Sequence, residues 1–294
     1  MTAILGVDAA WTGRGPSGVA LIETSVQGWR AIALAPSYAA FLALAQGVPV
    51  DWQVKAPGGA PEPGRLLRAA QMLLAGGPVD LVAVDMPVAT VPVNARRAAD
   101  DAISRAFGAL GCAVHSPTKE RPGAVGRALT QGFRAAGFGI ATAKTPPGTA
   151  RRLLEVYPHP ALVLLLNADY RVKYKVGKAR KYWPDKPAEQ RASLLLEQLA
   201  RILAALSAEI DGIALTLPAP GRVASLAGLK PFEDALDALV CAWVGARYLA
   251  GKARAYGDAT AAIWVPQPMG RVALASQAAV ARSTSGVSAS RTRA

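Results

Sequence analysis

Three short apolar runs open the chain: Ala3 to Val7, ending at Asp8, then Gly18 to Ile22, then Trp29 to Leu34. Turn-rich stretches, Thr12 to Ser17 and Ser25 to Gly28, separate them. β-like runs joined this closely predict an antiparallel meander, because a parallel crossover needs a dozen residues or more. The period then changes. Ser37 to Leu44 predicts a short helix, and Gly64 to Leu74 a longer one with Leu66, Leu67, Ala70 and Leu74 along one face. Leu81 to Val84 is apolar without alternation, as in a strand buried on both faces. Asp85, Met86 and Pro87 close it.

Asn94 is a candidate N-cap for a helix reaching Phe107. Glycines and prolines from Gly108 to Gly123 mark a long loop, and Ala124 to Ala135 predicts the next helix. Arg152 to Tyr157 reads as a strand stopped by Pro158. Pro160 suits the first position of a helix that continues through Ala161 to Leu166. Ala188 to Leu206 is a long amphipathic helix, Pro231 opens the last main helix to about Leu249, and Ala261 to Val265 is a small final strand. A meander followed by βα crossovers predicts an α/β fold with a mixed five-stranded sheet. Its first three strands are antiparallel, and helices cover both faces. That order is ribonuclease H-like.

No Pro/Gly/Ser-rich linker divides the middle of the chain, so one domain is expected over 1–272. Over 273–294, Ala, Ser, Arg and Thr dominate without periodicity, which predicts a disordered tail. Cys112 and Cys241 form neither a CxxC pair nor a zinc spacing, which suits a reducing, cytoplasmic setting. The first residues lack a basic n-region and carry Asp8 within their apolar run, unlike a signal peptide. No uncharged run of about 18 apolar residues predicts a membrane span.

Net charge changes the picture. A surplus of +13 attracts polyanions and makes nucleic acid the expected partner. From Arg171 to Arg191 there are eight Lys or Arg against Asp185 and Glu189, with Tyr174, Tyr182 and Trp183 interleaved. Such a block can neutralise phosphates and stack bases, or it can be a solvated loop. Lys173, Lys175, Lys178, Arg180, Lys181 and, on the helix after Asp85, Arg97 are the candidate nucleic-acid contacts.

Candidate chemistry lies in acids at strand ends. Asp8 ends the first strand, Asp85 ends the first crossover strand, and Glu155 lies in the next one. Asp234 and Asp237, at i and i+3, share a face of the last helix, with Glu233 beside them. If the first and crossover strands are parallel neighbours, Asp8 and Asp85 meet at one sheet edge. Carboxylates gathered there repel and raise each other's pKa, and a divalent cation removes that penalty. Mg²⁺ accepts a few carboxylates and keeps several waters. Each acid also has an ordinary alternative, as a turn residue, an ion-pair partner or a first-turn helix acid.

Other signals carry less. Gly13-Arg-Gly-Pro-Ser-Gly18 matches GxGxxG by letter, but no helix follows as a dinucleotide site requires, so it predicts a hairpin loop. His115 and His159 have no metal spacing and read as structural histidines or general bases. Neither GxSxG nor a P-loop occurs.

Taken in order, Gly6-Val-Asp-Ala-Ala-Trp11, Ala83-Val-Asp-Met-Pro87, Glu155-Val-Tyr-Pro-His159 and Asp234-Ala-Leu-Asp-Ala-Leu-Val-Cys-Ala-Trp243 resemble domain of unknown function 429. Arg97, Asp101, Arg105 and Gly111, and the segment Lys173 to Lys181, are similar to its pattern too. That family is described as predicted nucleases with a ribonuclease H fold. The resemblance spans about Ile4 to Val265. It implies Asp8, Asp85, Glu155 and Asp237 as catalytic residues, and Asp8, Asp85, Asp234 and Asp237 as ligands of Mg²⁺ or Mn²⁺. Relatives often carry a second acid where this chain has His159. The expected function is a metal-dependent nuclease. The alternatives are a non-catalytic nucleic-acid-binding protein and an actin-like ATP-dependent phosphotransferase. That last branch uses Asp-x-Gly in its first hairpin, whereas Ala10 stands here.

Overall fold

The structure, a computed structural model, describes residues 1–268. The tail expected over 273–294 and the last residues of the domain expected over 1–272 lie outside the described residues. Three strands come first: β1 (Ala3–Asp8), β2 (Gly18–Ser25) and β3 (Gly28–Ala35), paired antiparallel as a meander. Next come α1 (Tyr38–Leu44), α2 (Pro63–Leu73), β4 (Leu81–Val84), α3 (Ala98–Phe107), α4 (Gly123–Ala135) and β5 (Gly139–Ile140). The chain continues through β6 (Arg152–Val156), α5 (Pro158–Leu165), α6 (Ala179–Tyr182), α7 (Ala188–Ser207) and β7 (Ile210–Asp211). It closes with α8 (Lys230–Leu249), β8 (Ala253–Gly257) and β9 (Ala262–Pro266).

The sheet is mixed and ordered β7-β3-β2-β1-β4-β6-β9-β8, with β5 beside β6. It has nine strands, which corrects the expected five. β5 and β7 are two residues each, too short to leave a period-two trace. β8 runs Ala-Arg-Ala-Tyr-Gly and is largely half-exposed, so no apolar run marks it. α3 begins at Ala98 rather than beside Asn94, because Asp100 reaches back to the Arg97 backbone N–H at 2.8 Å and fixes the N-terminus there.

Alternating strand residues feed two cores. Ile4, Ile22, Leu81 and Leu154 pack beneath α5, α7 and α8. Leu5, Leu21, Val82 and Leu153 pack on the other face against α1, α2 and α4. This is the period-two rule of a sheet covered on both faces. A smaller cluster joins α3 to β9 through Ala99, Ile103 and Val265.

α8 lies against β1 and β2 at backbone distance. A Cβ on Gly6 would sit 2.2 Å from the Ala238 carbonyl oxygen, and one on Gly18 would sit 2.0 Å from that of Asp234. Only glycine permits this approach. It brings the acidic first half of α8 onto the end of β1.

Candidate functional site

β1, β4 and β6 run parallel, with Val7 opposite Val84 and Val84 opposite Glu155. Asp8 and Asp85 therefore leave neighbouring strands at the same edge, and the Asp85 N–H donates to the Val7 carbonyl at 2.9 Å. α8 carries Glu233, Asp234 and Asp237 to the same place, all buried. Burial first, then the Asp8 charge, holds the Asp85 carboxyl well above the usual carboxylate range, and Asp237 and Glu155 add to the shift. Burial, then Asp8, pushes Asp234 up to about 9. The acids that sequence spacing placed together are thus mutual electrostatic neighbours.

Two lysines enter the cluster. Lys175 pairs with Asp237 and stands 3.4 Å from Glu233, while Lys230 pairs with Asp234 and stands 2.9 Å from Glu233. The Tyr174 hydroxyl donates to Asp237 Oδ1 at 2.6 Å, and the Val176 N–H donates to Glu233 Oε2 at 2.5 Å. Both Asp237 oxygens are therefore occupied. Burial opposes the charge of Glu233, yet Lys175 and Lys230 hold its carboxyl below the ordinary value. Burial pushes Asp237 up to about 6, against the pull of Lys175. Five carboxyl groups, those of Asp8, Asp85, Glu233, Asp234 and Asp237, face two ammonium groups among the described residues.

The surplus falls on identifiable oxygens. Asp234 Oδ2 is buried without a hydrogen-bond partner. Neither Asp8 nor Asp85 has an ion-pair partner among the described residues. Among the same residues, no three His, Cys, Asp or Glu side chains stand around one point as the ligands of a single ion would. The donor chemistry nevertheless suits a hard cation: two uncommitted carboxylates are what Mg²⁺ accepts, with water and phosphate completing its shell.

Glu155 has a different setting. Its oxygens take two 2.6 Å bonds from the Arg97 guanidinium and one of 2.9 Å from the Val88 N–H. Arg97 also holds Asp100 at 2.7 Å. This buried clamp fixes the segment after Asp85. Burial pushes the Glu155 carboxyl up, and Arg97 works against that.

The basic block divides. Lys175 is drawn into the acid cluster, and Arg97 into the clamp. Lys173, Arg180 and Lys181 are exposed and Lys178 is half-buried, with no ion pair for any of them among the described residues. Burial, then Arg171 and Lys175, lowers the Lys178 pKa. His159 is buried edge-on to Tyr157 and Tyr174, with Nε2 against Arg171, and His115 is exposed. Gly13 to Gly18 leads into β2 and no helix, as expected of a hairpin loop.

Lys230 escaped the sequence analysis as a site residue, and Tyr174 entered it as a base-stacking aromatic rather than as a partner of Asp237. Lys230 had a usable signal, lying i−3 to Glu233 and i−4 to Asp234 at the start of an acidic helix face. Tyr174 had none, since the loop before α6 meets α8 only in the folded chain.

Fold and site define an α/β protein with a mixed sheet whose strand edge holds a buried carboxylate–lysine cluster. The chain belongs to the family described as "Protein of unknown function (DUF429)", which matches residues 6–261. That span takes in every acid of the cluster and the Arg97 clamp. No curated protein and no solved structure matches the chain. Among the described residues, no helix is long and apolar enough to cross a membrane.

Proposed function

We propose that this protein is a metal-dependent phosphodiesterase of ribonuclease H-like fold that cleaves nucleic acid. The observation that carries the proposal is the pair Asp8 and Asp85, set side by side at the ends of parallel strands with no ion-pair partner among the described residues. The fold adds support. β3, β2, β1, β4 and β6 are consecutive in the sheet, with β2 antiparallel to the other four, the order expected of such a fold.

In this proposal, Asp8 and Asp85 hold Mg²⁺ or Mn²⁺. Bound there, the cation would lower the pKa of a water and polarise a phosphoryl oxygen. Asp237 anchors Lys175 and Asp234 anchors Lys230, so two ammonium groups stand at the edge of the cluster where a phosphate would arrive. Their attraction lies partly outside the solvent, where charge interactions are stronger than in bulk water. Glu155 acts through Arg97, as a positioning residue for the turn that carries Asp85.

The test is cleavage of RNA, DNA and branched duplexes with Mg²⁺ or Mn²⁺ by the wild type and by Asp8→Asn. Loss of cleavage in the variant is the expected result, and equal activity rejects the assignment. The pairing of Lys175 and Lys230 with acids favours a second reading, a non-catalytic nucleic-acid binder whose cluster is neutralised from within. That reading predicts salt-sensitive binding by wild type and variant alike, with no cleavage by either.

A further inference from the structure

A cationic face lies outside the acid cluster and beyond the block singled out in the sequence. α4 carries Arg127, Thr130, Gln131 and Arg134 at i, i+3, i+4 and i+7, one face of a helix. Both arginines are exposed, and neither has an ion-pair partner among the described residues. The opposite face is buried through Gly126, Leu129 and Phe133. These four polar residues line a cleft of about 180 Å³ whose other wall is the segment from Pro87 to Val93.

That wall begins two residues after Asp85. It is apolar apart from Thr90, whose N–H donates to the Thr260 carbonyl at 2.9 Å and pins it. Gly126 sets the two walls close: a Cβ there would meet the Pro122 ring at 2.6 Å and Met86 Sδ at 3.5 Å. The cleft therefore has one cationic, hydrogen-bonding wall and one apolar wall, and the apolar wall follows Asp85 directly along the chain. An apolar wall suits the open base and sugar surfaces of a single strand, which a double helix keeps stacked away.

We infer that this cleft guides a single nucleic-acid strand to or from Asp85. The phosphates lie on Arg127 and Arg134, and the apolar parts of the nucleotides lie on the Pro87–Val93 wall. The two arginines are seven residues apart, about 10.5 Å along the helix, so they meet different phosphates. Thr130 and Gln131 supply hydrogen bonds to the backbone between them, contacts that position a strand without reading its sequence. An acidic protein segment would match the arginines but would gain nothing specific from an apolar wall that follows Asp85 by two residues. The inference deepens the nuclease proposal and rests on it for the partner, though not for the charge and shape of the cleft.

The test measures binding to a fluorescent single-stranded oligonucleotide over a range of salt concentrations, without divalent metal, so that cleavage plays no part. Arg127→Gln with Arg134→Gln is compared with the wild type and with Arg201→Gln plus Arg222→Gln. The control removes the same charge from exposed positions on the α7 side of the sheet. Each single-strand phosphate contact contributes about 0.7 to the slope of log affinity against log salt. The cleft variant should therefore lose about 1.4 from that slope and bind roughly tenfold or more weakly at moderate salt, while the control stays near the wild type. Equal slopes for the two double variants overturn the inference, as does a wild type that does not bind. Heparin or polyglutamate displacing the strand as well as unlabelled oligonucleotide also overturns it, because then only charge is read. Failure of Asp8→Asn to lose cleavage, with the slope change intact, removes the catalytic assignment and leaves the cleft standing.

Discussion

Arg97 shows at the level of one side chain how the site is held. Its guanidinium is almost buried and, among the described residues, is the only cation paired with Glu155 and Asp100. Removing one member of such a pair strands the other charge, at a cost of about 3–5 kcal/mol. Arg97→Met should lower unfolding stability by about that much in urea titration, and Glu155→Gln in the same background should recover part of it. His159 offers a second measurement. Burial, then the charges of Lys175 and Arg171, holds its pKa well below the ordinary 6.5. The unfolded chain therefore takes up a proton near pH 6.5 that the native state refuses, and stability falls as pH drops below that value. The slope from this one group approaches about 1.4 kcal/mol per pH unit. His159→Phe should flatten the fall between pH 6.5 and 5 in urea titrations at each pH, whatever its effect at neutral pH. Asp8, Asp85 and the α8 acids were legible as candidates because strand ends and helical spacing can be read from sequence. The internal neutralisation by Lys175 was not, because a lysine in a basic stretch looks alike whether it faces solvent or an acid 62 positions away.

Most of the elements followed from periodicity, because the long helices and buried strands each carry a strong pattern. The missed strands failed for a physical reason: β5, β7 and β8 owe their conformation to pairing partners rather than to their own side chains. α8 is more instructive. Pro231 and the apolar run announced a helix, yet its contact with β1 and β2 depends on two absent side chains, those of Gly6 and Gly18. A methyl group at either position would meet main-chain atoms that cannot rotate away. Overpacking of an ordinary core costs about 1–3 kcal/mol, and backbone collisions fall at the upper end or beyond. Gly18→Ala should lower the urea midpoint sharply and, under the proposed nuclease function, remove cleavage along with stability, since Asp234 moves when α8 moves. Gly13→Ala, with nothing within 4 Å of its added methyl, should leave both unchanged.

Across the whole molecule, the surplus of carboxyl groups sets stability against the proposed function. Asp85 is costly to hold charged at this edge. Asp85→Asn without divalent metal should raise the melting temperature, by about 2 °C or more if 1 kcal/mol is recovered. With metal the order reverses. If Asp8 and Asp85 hold the cation as proposed, Mn²⁺ at about 100 times its dissociation constant stabilises the wild type by about 2.7 kcal/mol and leaves Asp8→Asn and Asp85→Asn unmoved, as read by thermal melts with and without chelator. Every residue of α8 from Pro231 to Ala246 is buried, so this helix is enclosed on all sides rather than along one stripe. In deuterated water its main-chain amides between Leu236 and Val244 have no shallow opening by which to exchange. They should be among the last protons the molecule gives up, released only when the whole fold comes apart.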